Sequence, residues 1–359
     1  MNGVQQLFFK FSRKFLIQRE ASSKALHFTL SLLVILTIAT LQSQYYHSAH
    51  ASNLSLQQFI YNGPNGSRPY FVYTPENYRA GTTGPLIVML HGCSQTAIDF
   101  ATGTQMNQLA ERYNFVVAYP QQLNIYNPAL CWNWFNPSNQ VRGGAESAII
   151  AGIVQEIENN TSQWTIDRHR IYVTGLSAGA AMAVILGAIY PDIFAAIGVH
   201  SGAEYGAITS PLSGGLAFLQ GGPDPIQQGK AAFAAMGSFA RVVPTIVFHG
   251  TEDPVSRPIN GKQVVQQWME TDFLASHGTY HADFNHPSNT MQGMVPDGHS
   301  YTVYKWNATN GNEVEEYRLI NGMGHAWSGG DPYNFTDLQG PGASQAMYTF
   351  FKDHPMNNS

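Results

Sequence analysis

The chain has few charged residues for its length. Only 11% of its 359 residues are Asp, Glu, Lys or Arg, and the formal net charge is −5. After residue 24 there is no run of Lys and Arg of the kind that neutralises a nucleic-acid backbone. A hydrophobic content of 44% argues against a disordered chain and is ample for a sizeable core. We therefore expect a folded protein with no nucleic-acid partner, acting on a neutral or weakly polar small molecule or polymer.

Cysteine is also scarce, since it occurs only at positions 93 and 131. An even number of cysteines in an exported protein favours one disulfide, here Cys93 to Cys131. Two buried free thiols are the alternative. No His, Asp and Glu cluster has the spacing of a metal site, so the sequence implies neither a metal nor another cofactor.

Export itself is predicted by the N-terminal segment. Residues 1–24 contain five Lys and Arg residues, and a mostly apolar run follows over 25–41. Ala49-His50-Ala51 then supplies the small-x-small pattern of a cleavage site. We expect residues 1–51 to be a signal peptide, cleaved to leave a secreted protein, extracellular or periplasmic, with no stable membrane insertion. An uncleaved anchor is the alternative, because the apolar run approaches the ~17 residues needed to span a bilayer.

Along residues 52–359, short apolar runs alternate with helical patterns. Runs such as PLIVML at 85–90 and PTIVF at 244–248 are typical of strands buried on both faces of a parallel sheet. This alternation predicts an α/β fold, a doubly wound and mostly parallel sheet with helices on both faces. No repeat, low-complexity tract or linker is present, so one domain without a separate substrate-binding domain is expected. Helices are predicted over 97–113, 145–164, 178–189, 261–274 and 343–351.

One serine lies at the turn between a predicted strand and helix. Ser177 is central in Gly175-Leu176-Ser177-Ala178-Gly179, the G-x-S-x-G pattern of a nucleophile elbow. The turn pinches the backbone, and glycines two residues before and after remove the Cβ atoms that would clash. The serine hydroxyl then lies at a helix N-terminus, where free N–H groups favour a developing negative charge. Ser177 is therefore the candidate nucleophile.

A serine nucleophile needs a histidine to take its proton and a carboxylate to orient that histidine. In the chain order Ser, acid, His, Asp253 follows strand PTIVF, and His325 follows the last predicted strand on a glycine-flanked loop. Glu252 is the neighbouring competitor for the acid. The remaining acid candidates lie in distant loops and are Asp224, Asp283 and Asp297. The other histidines considered are His200 and His249 at strand ends, with His277, His281, His286 and His299 in a polar insertion.

The negative charge formed during attack on a carbonyl needs two backbone donors. One is the N–H of Ala178, directly after the serine, and the second comes from the loop His91-Gly92-Cys93-Ser94-Gln95. We expect Cys93 to supply it, with Ser94 as the alternative.

Five segments together resemble one family. HGCSQ, CWNWF, GLSAGAAMA, HGTEDPV with a following NGK, and GMGHAWSGG are similar to the motif series of the polyhydroxybutyrate depolymerase-like esterases, secreted α/β-hydrolases that include feruloyl and acetylxylan esterases. The resemblance covers roughly residues 85–330. It implies an α/β-hydrolase fold, a triad of Ser177, Asp253 and His325, and Cys93 in the oxyanion loop. The chain departs from the family at Ala180, where glycine is frequent, and at Ser328, where proline is common.

Four aromatic residues near the predicted site are candidates for contact with substrate. Trp132 and Trp134, with the adjacent Phe135, and Trp327 beside the histidine could line an acyl or polymer groove, or they could pack in the core. The resemblance implies hydrolysis of hydroxyalkanoate esters or polyester, with release of feruloyl or acetyl groups from polysaccharide as the alternative. An acyltransferase is a further possibility, whereas an intact triad argues against a non-catalytic binding module.

Overall fold

A computed structural model describes residues 56–208 and 214–356, and it places ten strands of this part of the chain in one sheet. The predicted signal peptide, residues 1–51, lies outside the described residues. The strands of the sheet are β1 (Leu56–Gly63), β2 (Gly66–Tyr73), β3 (Thr83–Leu90), β4 (Val116–Pro120), β5 (Thr165–Leu176), β6 (Ala196–His200), β7 (Thr245–Gly250), β8 (Asn289–Met294), β9 (Ser300–Asn307) and β10 (Glu313–Ile320).

The centre of this sheet is parallel and both of its edges are antiparallel. The strand order is β1-β2-β4-β3-β5-β6-β7-β10-β9-β8. Strands β4, β3, β5, β6, β7 and β10 run parallel, whereas hairpins add β1 with β2 and β9 with β8 at the two edges. The predicted mostly parallel sheet is confirmed. Because parallel strands end at one edge, the loops after β3, β5, β7 and β10 meet there.

Helices cover both faces of the sheet, as predicted. They are α1 (Ala97–Thr104), α2 (Met106–Tyr113), α3 (Ala145–Asn159), α4 (Ala178–Ile189), α5 (Gly214–Gln220), α6 (Pro225–Met236), α7 (Ile259–Ala275) and α8 (Ala343–Asp353). Side chains alternate across β3, so that Val88 joins the core under α3 and α4 while Ile87 joins the core under α1 and α8. None of the helices in the described segments has the length and apolar character to cross a membrane.

The single helix predicted over 97–113 is wrong, because the chain forms α1 and α2 with a break at Gln105. Gln105 adopts a left-handed conformation with φ 59°. The α1 carbonyls freed by the break accept hydrogen bonds from distant groups: the Asp331 N–H donates to the Gly103 carbonyl, and the Ser344 hydroxyl donates to the Thr104 carbonyl. These partners are more than 200 residues away in sequence, so no local pattern could indicate the break.

The structure also differs from the sequence prediction in where one helix ends and in elements that were not predicted. The helix predicted over 145–164 ends at Asn159, and the next strand already begins at Thr165. Strand β8 forms in the segment read as a polar insertion, and β9, α5 and α6 were not predicted either. The residues of β8 are mostly exposed, so this edge strand carries no apolar alternation.

Candidate active site

Ser177 occupies a strained turn between β5 and α4. It has φ 58° and ψ −120°, a conformation that residues other than glycine rarely adopt, and it is 4% exposed. The Ser177 N–H donates to the His200 carbonyl at 2.9 Å, which fixes the turn against the end of β6. The predicted strand–turn–helix context of the serine is therefore present.

The flanking glycines allow the backbone of this turn to approach the end of β3. A Cβ atom on Gly175 would lie 2.5 Å from the Leu90 carbonyl oxygen. A Cβ atom on Gly179 would lie 2.6 Å from the His91 carbonyl oxygen. Real Cβ contacts are longer than either distance, so any larger residue would push β5 and α4 away from β3. This close approach explains why the pattern has glycine at both positions.

Asp253 and His325 meet at the carboxyl ends of β7 and β10. The Asp253 Oδ2 atom lies 2.8 Å from His325 Nδ1. Asp253 is completely buried, whereas the neighbouring Glu252 is exposed. Among the candidates named from sequence, Asp253 is thus the carboxyl that the structure brings to His325.

His325, together with His249 and backbone donors, holds Asp253 as an anion. The N–H groups of Val255 and Ser256 donate to its Oδ1 at 2.9 and 2.8 Å. Burial alone would raise the pKa of Asp253, but the hydrogen bond from His325, the charges of His325 and His249, and the Ser256 N–H together hold that pKa below its ordinary value. An ionised Asp253 accepts the Nδ1–H of His325 and leaves Nε2 of the same ring as a proton acceptor.

His200 connects the serine turn to the histidine loop, a role that sequence reasoning missed. Its carbonyl binds the Ser177 N–H, and its Nε2 accepts the Ser328 N–H at 3.0 Å, three residues beyond His325. The His200 ring also stacks on Trp327 with centroids 5.2 Å apart. Burial, with the charges of His249 and His325, holds the pKa of His200 well below its ordinary value, so this ring is neutral. The serine at position 328 supplies an N–H that proline would lack.

No hydrogen bond joins the Ser177 hydroxyl to His325 in the part of the chain that the structure describes. Catalytic hydrogen bonds are often long without substrate and shorten when it binds. Instead, His200 links the two segments, because it accepts the backbone N–H of Ser177 and the backbone N–H of Ser328. The sequence indicated only that His200 lies at the end of the strand that follows the Ser177 segment. It did not indicate the contact with Ser328.

The loop after β3 brings one free N–H close to Ser177. A Cβ atom on Gly92 would lie 3.4 Å from Ser177 Cβ. The Ser94 N–H donates to the Ala129 carbonyl at 2.7 Å and is therefore not free to donate to a substrate oxygen. No hydrogen bond of the Cys93 N–H occurs within residues 56–208 and 214–356. Of the two donors considered from sequence, Cys93 is the one that remains available.

The predicted disulfide between Cys93 and Cys131 is confirmed. It joins the β3 loop to the long loop after β4. The same β3 loop is held by His91, whose Nδ1 donates to the Gly92 carbonyl at 2.9 Å and whose Nε2 accepts the Gln122 N–H at 3.1 Å. Burial lowers the pKa of His91 to about 4, so the neutral ring keeps both contacts at ordinary pH.

The tryptophans considered for substrate contact are buried. Trp132 and Trp327 are 0% exposed and Trp134 is 4% exposed. A ring without exposed surface offers nothing to a ligand in this conformation. The arrangement therefore favours core packing, the other interpretation that the sequence left open. Trp327 supports the site indirectly, through its contact with His200.

A family model and several known proteins match this chain. A family model described as esterase PHB depolymerase matches residues 69–285. The poly(3-hydroxyalkanoate) depolymerase C of Paucimonas lemoignei is 33% identical over 282 residues, which are 77% of this chain and 62% of that protein. The probable acetylxylan esterase A of Neosartorya fischeri is 30% identical over 259 residues, 70% of this chain and 66% of that protein. The chain thus spans less than two thirds of either relative.

A solved structure shows the same fold. The acetyl xylan esterase from Aspergillus awamori superposes with a TM-score of 0.64 at 23% sequence identity, covering 83% of this chain and 99% of that structure. This likeness confirms the predicted α/β-hydrolase fold. The family model covers more than half of the chain and contains both Ser177 and Asp253 within its matched residues. The chain belongs to the esterase PHB depolymerase family.

Proposed function

We propose that this protein is a serine ester hydrolase that works through an acyl-enzyme on Ser177. His325 Nε2 takes the proton of the Ser177 hydroxyl as the serine oxygen attacks the ester carbonyl carbon. Asp253 holds the imidazole in the required tautomer and stabilises its positive charge. The alcohol leaves with the proton from His325, and a water molecule, deprotonated by the same ring, then releases the acid.

One observation carries this proposal above the others. The Asp253 carboxylate is fully buried, accepts two backbone N–H groups, and binds His325 Nδ1 at 2.8 Å beside the strained Ser177 turn. An ionised, buried carboxylate that fixes a histidine is the arrangement that activates a serine nucleophile, and such perturbed groups cluster at functional sites. Its position at the edge where β5, β7 and β10 end is the position of reacting groups in parallel sheets.

Cys93 and Ala178 are proposed to bind the oxyanion. The Ala178 N–H is the first of α4, where helix N–H groups have no intrahelical acceptor, and the Cys93 N–H has no partner among the described residues. The disulfide to Cys131 holds the Cys93 backbone in place. Such donors are effective only if they already point at the oxygen when charge develops, so a rigid loop favours the reaction.

Hydroxyalkanoate esters, including polyester, are the proposed substrates. The relative at 33% identity is named a poly(3-hydroxyalkanoate) depolymerase, which supports this class. Release of acetyl or feruloyl groups from polysaccharide is the second candidate, because a relative at 30% identity is named an acetylxylan esterase. The disulfide supports our further proposal that the protein is exported, since disulfides persist in oxidising compartments.

A hydrolysis panel tests the reaction and the substrate class together. Hydroxybutyrate oligomers, p-nitrophenyl esters of graded chain length, acetylxylan and feruloyl xylan are assayed with the wild type and with Ser177→Ala. We expect the oligomers to give the highest kcat/KM and the alanine variant to be inactive while remaining folded. Preference for acetylxylan would transfer the assignment to the second candidate, and an active alanine variant would refute the mechanism.

A further inference from the structure

A concave surface lies beside the loop that carries Asp253. It has a volume of about 570 Å³, and one of the residues that line it is Thr251, two residues before Asp253. We call it the aromatic groove and define it by Lys262, Phe284, Tyr304, Trp306, Tyr317 and Leu319. These residues come from β9, β10, the N-terminal part of α7 and the loop before β8. The aromatic groove is therefore built at the antiparallel edge that the sequence did not predict.

The floor of the aromatic groove is a set of stacked rings. Phe284 stacks on Trp306 with centroids 5.7 Å apart, and Tyr304 stacks on Tyr317 at 6.2 Å. The Trp306 Nε1–H donates to the Asp283 carbonyl at 2.8 Å, which fixes the ring. Trp306 and Tyr317 are buried, whereas Phe284 and Tyr304 are half-buried and leave ring surface uncovered. The floor is thus a preformed apolar surface.

One cation lies at this surface without a carboxylate partner. The Lys262 ammonium is 5.2 Å from the centre of the Phe284 ring. Lys262 takes part in none of the ion pairs found among the described residues, whereas Lys305 on β9 contacts both Glu313 and Glu316. An unpaired ammonium over an aromatic ring is available to an anionic group on a ligand that covers the rings.

The lining also indicates which ligand body fits. Aromatic rings can stack on the apolar faces of sugar rings as well as on hydrocarbon chains, so the ammonium of Lys262 is what distinguishes the ligands, because a neutral sugar chain has no anionic group for it. The Thr251 hydroxyl, one of its few polar groups, already accepts the Gly322 N–H at 2.9 Å. An apolar chain with a single negative charge matches the surface better than a polysaccharide does.

We propose that the aromatic groove binds the carboxylate-terminated end of a hydroxyalkanoate oligomer, with the chain on the rings and the carboxylate at Lys262. This inference deepens the proposed function and rests on it for the substrate class. The groove is a site distinct from the proposed catalytic site, because Ser177, Cys93 and Ala178 do not line it. It would hold a polyester end, or a released acid product, next to the active-site edge.

The test is a binding cycle by calorimetry on the Ser177→Ala protein. The probes are a linear 3-hydroxybutyrate pentamer with a free carboxylate and its methyl ester. We expect Lys262→Gln to weaken pentamer binding about fivefold, and methylation to weaken it by a similar factor. The two losses do not add, because each removes the same charge contact. Lys230→Gln, at an exposed lysine of α6, is the matched control and leaves the dissociation constant unchanged.

Two results would overturn the proposal: a Lys262→Gln dissociation constant equal to that of the control, or losses that add fully. Tyr304→Ala supplies a second check and should weaken the acid and the methyl ester alike. Failure of the proposed function is distinguished by p-nitrophenyl butyrate hydrolysis in the Ser177-intact chain. If pentamer binding shows non-additive losses but p-nitrophenyl butyrate is not hydrolysed, the groove proposal holds and the proposed ester hydrolysis is wrong.

Discussion

Two buried carboxyl groups in this molecule have opposite surroundings. Asp253 is 0% exposed, and its oxygens accept hydrogen bonds from Val255, Ser256 and His325. Glu204, four residues beyond the end of β6, is 3% exposed, and neither of its oxygens has a hydrogen-bond partner in the described structure. The pKa of Asp253 lies below its ordinary value, whereas burial, with the nearby charge of Asp224, raises the pKa of Glu204 to about 8.

The difference shows that hydrogen-bond partners, rather than burial, decide the charge of a carboxyl group here. Both groups lose hydration on folding, which favours the neutral form. Three aligned donors reverse that preference at Asp253, so it remains an anion and can orient a histidine. Glu204 has no such donors and keeps its proton at neutral pH. Of the two, Asp253 is therefore the one that can serve as the acid of the proposed triad, although both carboxyls are buried.

The largest expected effect comes from removing the charge of Asp253. Asp253→Asn keeps the shape of the side chain but favours the wrong tautomer of His325, so kcat for p-nitrophenyl butyrate should fall about 10⁴-fold. Glu252→Gln, at the exposed neighbouring carboxylate, is the matched control and should retain wild-type kcat. If the Glu252 variant lost more activity than the Asp253 variant, the acid would be misassigned.

Glu204→Gln should change stability in a pH-dependent way without changing catalysis. The unfolded carboxyl ionises near 4.5 while the folded one keeps its proton to about pH 8, so wild-type stability is lost progressively as the pH rises through that window. The amide does not titrate, and the variant should therefore be about 4 kcal/mol more stable than the wild type at pH 8 and about equal to it at pH 4.5. Urea unfolding at both pH values measures this difference. Equal stability at pH 8 would mean that Glu204 has charge partners when folded.

His200→Phe tests whether neighbours also define the role of a buried histidine. The phenyl ring keeps the stacking on Trp327 but cannot accept the Ser328 N–H, so the loop of His325 loosens relative to Ser177. We expect kcat to fall about tenfold with KM nearly unchanged. Ser328→Ala retains the N–H and should keep wild-type kcat, but it should lower stability because the Ser328 hydroxyl donates to the Pro341 carbonyl at 2.6 Å. A rise in KM alone would indicate a substrate contact instead.

The smallest expected effect concerns the disulfide. Cys131→Ser frees the β3 loop, so the Cys93 N–H, the proposed oxyanion donor, is held less firmly. We expect kcat to fall about threefold, more than KM rises, because the lost interaction belongs mainly to the transition state. Steady-state kinetics on a folded variant give the answer. An unchanged kcat would show that the loop is held without the bond, for example by His91.

Local sequence patterns were sufficient for the parallel core and for the residues at its ends. Apolar runs such as residues 85–90 form strands because both faces of a parallel sheet are buried, and the elbow glycines around Ser177 are required by a backbone contact with β3. The helix predicted over 178–189 has the observed bounds. The proximity of Asp253 and His325 could be predicted because each follows a strand that ends at the same edge.

Features that depend on distant contacts could not be predicted. The break at Gln105 is satisfied by Asp331 and Ser344, and the role of His200 depends on Ser328, more than 120 residues away. Edge strand β8 is mostly exposed and has no alternation of apolar and polar residues. No local sequence pattern therefore indicated this edge of the sheet or the aromatic groove beside it. The burial of Trp132 and Trp327 was equally inaccessible, because aromatic residues near a site pack or bind according to tertiary structure.

Covalent labelling with a fluorophosphonate, read by peptide mass spectrometry, tests the central claim most directly. This reagent reacts with a serine hydroxyl only when a neighbouring base activates it. The account predicts one adduct, on Ser177, formed at the wild-type rate in Glu204→Gln and far more slowly in Asp253→Asn. An adduct on another serine, or equal labelling rates in the two carboxyl variants, would contradict it.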